Sequence, residues 1–71
     1  MAIDITKLSE EELSQDREAS LDDIAICQMA LAVGIYEYSG GSVQQRLDVN
    51  RKIVQKIDTE LERRKAAQHG M

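Results

Sequence analysis

Both tyrosines and three of the four glycines of this 71-residue chain fall within eight residues, GIYEYSGG at 34–41. The chain has no proline, and outside that stretch its one other glycine is Gly70. Two long segments therefore carry no residue that breaks a helix, and one short segment is where the chain can reverse.

The segment after the reversal reads as a helix. Val43, Leu47, Asn50, Val54, Ile57 and Leu61 are spaced 4, 3, 4, 3, 4, a heptad seam with Asn50 as its one polar member. Val49 and Ile53 widen that stripe. Ser42 with Gln45 forms a capping pattern at the start, and Arg63, Arg64 and Lys65 are read as a last turn where cations suit the dipole.

The segment before it starts at LSEEEL, where Ser9 caps, Glu12 closes a capping box, and Leu8 and Leu13 stand as a hydrophobic staple. It runs through Ser20, a second capping pattern with Asp23, as one continuous helix. From Leu21 to Val33 it reads LDDIAICQMALAV, with one stripe of Leu21, Ile24, Cys27 and Leu31 and another of Ile26, Met29 and Val33. A helix apolar nearly all round is a buried helix, and one partner helix cannot cover both stripes. Gly34 is expected to end it in a left-handed conformation.

These signals predict an all-α fold. It is an antiparallel two-helix hairpin, with helices at 9–33 and 42–65 and a short extended Tyr/Gly connector, completed by oligomerisation. The chain is one small domain, 1–71, with 1–8 and 66–71 as flexible ends. The run Ile35-Tyr36-Glu37-Tyr38 is too short for an independent sheet, leaving an extended connector or pairing with a symmetry mate.

Size sharpens the oligomer expectation. A chain this short buries only about 60% of the surface its unfolded form exposes. Cys27 is the only cysteine, so no intrachain disulfide can compensate; with His69 it is too little for a structural metal site. No cofactor is expected. The residues proposed for self-association or partner docking are Leu21, Ile24, Ile26, Met29, Val33, Asn50 and Ile53. For Asn50, setting the register of the seam competes with hydrogen bonding to the connector backbone.

The charge is −4 overall but divided. Residues 1–41 carry two cations against nine acids, and residues 42–71 seven against four. Opposite signs favour the hairpin and suit head-to-tail assembly. An acidic chain without Phe or Trp is a poor nucleic-acid binder. No apolar run approaches the ~20 residues that span a bilayer, and MAIDITKLSEEE is not a signal peptide. A cytoplasmic location is expected.

Three groupings invite a chemical reading. Glycines before a capped helix can present free N–H groups to an anion, with Tyr36, Tyr38, Gly40, Gly41, Ser42 and Arg46 as candidate ligands and a nucleotide as the ligand. The phosphate-loop spacing and its preceding strand are missing, and a tight turn has the same composition, so the turn is preferred. Cys27, set among apolar residues with no cation beside it, reads as a core residue. Adjacent acids such as Asp22-Asp23 diverge on a helix, and nothing assembles a nucleophile, base and oxyanion donors, so no catalytic residues are assigned.

The order Ala30-Leu31-Ala32-Val33-Gly34, then Tyr38-Ser39-Gly40-Gly41-Ser42, then an amphipathic helix ending Leu61-Glu62-Arg63-Arg64, resembles short phage-encoded proteins. In size and element order it is similar to the W-type head-completion proteins of lambda-like phages over residues 10–65. That resemblance implies a non-enzymatic structural or adaptor role at a head–tail joint, in the host cytoplasm or the virion. The family inserts a β-hairpin between its helices and favours a basic surface, whereas IYEYSGG is short for a hairpin and this chain is acidic. A small inhibitor of a host protein and an oligomeric nucleotide binder are the alternative functions.

Overall fold

The computed structural model describes residues 4–69, with the side chain of His69 outside the described set. Their order is a single 3₁₀ turn (Ile5–Lys7), α1 (Glu10–Ala32), β1 (Glu37–Tyr38), β2 (Gly41–Ser42) and α2 (Val43–His69). The two long helices pack antiparallel, so the expected helical hairpin is the fold.

The start of α1 follows its sequence signal. Ser9 Oγ accepts from the Glu12 N–H at 3.0 Å, and Glu12 Oε1 accepts from the Ser9 N–H at 3.2 Å, closing the capping box. The helix then runs unbroken past Ser20. It closes at Val33 with Gly34 at φ +85°, while the N–H groups of Gly34 and Ile35 reach back to the carbonyls of Leu31 and Ala30 at 3.1 and 2.8 Å. That pair of backward bonds is a Schellman closure, which requires a left-handed residue at the Gly34 position.

Three expectations are corrected. The connector neither runs as a bare extended link nor waits for a symmetry mate: Glu37 pairs with Ser42 and Tyr38 with Gly41 in an antiparallel hairpin within the chain. It is anchored to α2, since the Val43 N–H donates to the Tyr36 carbonyl at 2.9 Å. Its tip is Ser39-Gly40, and Gly41 takes φ +136° just after it. Second, α2 does not stop at Lys65. Ala66, Ala67 and Gln68 are good helix formers, so α2 continues to His69 through residues assigned to a flexible end. Third, of the ends expected to be flexible, residues 4–8 form a capped 3₁₀ turn, while 1–3 and 70–71 lie outside the described residues. Asp4 caps the 3₁₀ turn by accepting from the Thr6 N–H at 3.0 Å and its hydroxyl at 2.6 Å.

The core is a narrow seam. Cys27, Val43 and Leu47 form a buried cluster near the hairpin, with Ile24, Ala30 and Leu31 packed on it. Leu13 and Ile57 are the most completely buried side chains. Polar Ser20 and Asn50 are also buried. The molecule measures 51 × 25 × 16 Å. A helix with its side chains is ~10–12 Å across. The hairpin is therefore one layer of two helices, and each has a face that its partner does not cover.

Candidate functional site

Beside the hairpin the two helices and the connector bound an open cleft of about 330 Å³, whose walls include Tyr38, Gly40, Ser42 and Arg46 together with Asp23 and Asn50. The heptad spacing of α2 turns Asn50 toward α1, and Arg46 lies one turn earlier on the same flank. Asp23 Oδ2 accepts from Arg46 Nε at 2.6 Å and from Asn50 Nδ2 at 2.5 Å. The Asn50 amide also donates to the Arg46 carbonyl at 3.0 Å. Above this, the Arg46 guanidinium carbon lies 5.3 Å from the centroid of the Tyr38 ring, within cation–π range. Gly40 leaves room for that ring, since a Cβ there would stand 2.5 Å from Tyr38 Cε2.

These contacts fix the charge states. The Arg46 hydrogen bond, assisted by Asn50, holds the Asp23 carboxyl below the usual carboxylate range against its partial desolvation. Reciprocally, Asp23 raises Arg46 above the ordinary arginine value. Of the six residues named for an anion, the structure gathers Tyr38, Gly40, Ser42 and Arg46 around this cleft, while Tyr36 and Gly41 are not part of its wall. The arrangement suits a structural clasp better than an anion cradle. Arg46 is already neutralised, and the carboxylate that neutralises it would repel an incoming phosphate.

Asn50 is thereby accounted for inside the chain. Among the described residues its partners are Asp23 and Arg46 rather than the connector backbone. Ile24 is likewise spent within the hairpin core. The remaining docking candidates do not form one surface. At ~100° per residue, Leu21 and Ile53 fall on opposite flanks of the seam, and both are only about two-fifths exposed (38% and 37%). Ile26, Met29 and Val33 lie directly opposite the seam and are 64%, 70% and 70% exposed. Ile35 and Tyr36 continue the exposed apolar character past the end of α1. On α2, Val49 does not widen the buried stripe as expected but points away from α1, at 55% exposure.

Several contacts do not appear in the pattern reading. Arg64 turns away from the helix end and grips the N-terminal segment, donating from Nη2 to the carbonyls of Leu8 at 2.6 Å and Thr6 at 3.2 Å. Its Nε donates to Glu60, which also receives Arg63 through two bonds. Arg63 and Arg64 together draw the buried Glu60 carboxyl down to about 2. Arg17 Nε donates to Asp58 at 2.6 Å on the opposite flank, which holds the two helices in register there. Glu60 with Arg63 and Arg64 stands at i,i+3 and i,i+4 spacing, a signal the sequence carries. For Arg17–Asp58 the only signal is opposite charge on two segments, and partner choice needs the register of the seam.

Among the described residues, no helix is long and apolar enough to cross a membrane. Comparison with protein-family models, with curated proteins and with solved structures finds no match.

Proposed function

We propose that this chain is a non-enzymatic protein–protein interaction module, a structural adaptor of the phage head–tail joining type. The observation that carries the reading is the exposed apolar stripe Ile26, Met29, Val33 on the outward face of α1. A folded protein of 8.0 kDa exposes about 4,450 Å² by the usual scaling, and this one exposes 5570 Å². An isolated chain has little reason to keep three large apolar side chains in water on a rigid helix; a docking module does.

The experiment is deletion of the gene from a phage that carries it, followed by imaging of the particles. Filled heads and separate tails are the expected result, restored by the parent chain but not by Ile26→Glu. Normally joined particles would overturn the adaptor role. The same stripe would serve an inhibitor of a host protein, and in that case particles would be intact while growth on a restrictive host would fail.

A further inference from the structure

We propose that the occupant of the outward face of α1 is a second copy of this chain, docked head-to-tail through the outward face of its α2. This inference rests on the interaction-module reading and names its first partner.

The two outward faces match at three steps, with Met29 and Val33 lying beyond them toward the connector. Along α1, Glu18, Asp22 and Ile26 fall opposite the seam; along α2, Val49, Lys52 and Lys56 do the same. All six are exposed, and among the described residues none of the four charged ones takes part in an ion pair. When one hairpin is placed beside another without sliding along the helix axis, its α1 lies antiparallel to the neighbour's α2. It then keeps the register that Arg17 and Asp58 set within the hairpin. In that register Ile26 comes level with Val49, Asp22 with Lys52 and Glu18 with Lys56. An apolar pair thus sits at the connector end, and two opposite-charge pairs extend along the shaft.

The symmetric alternatives fail on charge. Pairing α1 with α1 in parallel would set Glu18 and Asp22 against their own copies, and an antiparallel pairing through Met29 would give both acids no cation; the single cation of α1, Arg17, is bound to Asp58. Pairing α2 with α2 would oppose Lys52 and Lys56 in the same way. Like charges opposed across an interface are strongly unfavourable, so complementarity selects the α1-to-α2 contact. Such a contact leaves one free face at each end and builds a closed ring or an open row.

The test is charge reversal read by light scattering. Glu18→Lys/Asp22→Lys and Lys52→Glu/Lys56→Glu should each weaken association of the parent on the order of a hundredfold. Mixed together, the two variants should associate again, because each then meets the opposite sign on both faces. The chain carrying all four reversals should assemble alone, which separates loss of docking from loss of folding. Equal assembly of parent and both variants would overturn the proposal, as would a mixture that stays monomeric. A parent that is monomeric at millimolar concentration would also overturn it, while leaving the particle-joining reading to the imaging experiment; intact particles from a deletion phage would sink that reading without touching self-docking.

Discussion

At the scale of single residues, a carboxylate and a glycine carry the sharpest consequences. Glu60 is 5% exposed and its carboxyl is drawn from an ordinary 4.5 to about 2 by Arg63 and Arg64. Because the folded value lies below the unfolded one, the stabilisation is complete above about pH 4.5 and is lost as pH falls toward 2. Asp23, lowered by Arg46, and Asp4, lowered by Thr6, act in the same direction. Urea midpoints between pH 2 and 7 should therefore fall on the acid side, and Glu60→Gln should flatten that fall while lowering the neutral-pH plateau. An unchanged acid limb in Glu60→Gln would remove Glu60 from the account. Gly34 makes a different kind of contribution. Its φ is +85°, and a Cβ there would meet nothing within 4 Å, so Gly34→Ala tests backbone strain alone. The expected cost is about 1–2 kcal/mol, or roughly 4–8 °C of melting temperature per kcal/mol in a domain of this size. A melting temperature equal to that of the parent would mean that the helix closes without a left-handed residue.

At the scale of elements, the seam explains both what could be read in advance and what could not. Helix starts and stops are local chemistry. Ser9 with Glu12 and Gly34 could be recognised within a few residues of themselves, and the structure uses both as read. Arg63-Arg64-Lys65 has the local composition of a terminal turn, but Arg64 is occupied by carbonyls more than fifty residues away and α2 continues past it. The hairpin is not legible in the sequence because two-residue strands have no periodicity; they exist because Ser39-Gly40 reverses the chain between two fixed helices. The Asp23–Arg46–Asn50 clasp needs the register of the finished seam, which no local pattern contains. It also changes what Asn50 is expected to do. In Asn50→Leu, Asp23 keeps Arg46 and the Arg46 carbonyl keeps its helical partner, so stability should hold or rise. The oligomeric state should not change, because Asn50 faces its own chain. A broadened mass distribution for Asn50→Leu would return that residue to an intermolecular seam. Leu13→Ala provides the contrast, emptying a fully buried position at a cost of about 2–5 kcal/mol. If circular dichroism still showed a cooperative melt near the parent's, Leu13 would not be holding the open end of the hairpin.

At the scale of the whole molecule, one layer of two helices leaves two long faces without intramolecular partners, one acidic and apolar, the other basic. Division of the charge between the two halves was legible from composition. Assignment of that charge to outward faces was not, because it depends on which side of each helix the seam consumes. Ile26 illustrates the point: as part of a buried helix, Ile26→Glu would unfold the chain, but at 64% exposure the same change should leave the fold intact and weaken docking. Complementary charge also implies that association weakens between low salt and about 1 M, where the Debye length shrinks to ~3 Å. The most direct measurement is the solution mass by light scattering across a dilution series at low and high salt. Masses above 8.0 kDa that fall with dilution and fall further with salt are expected. A mass of 8.0 kDa at every concentration and salt would contradict head-to-tail docking.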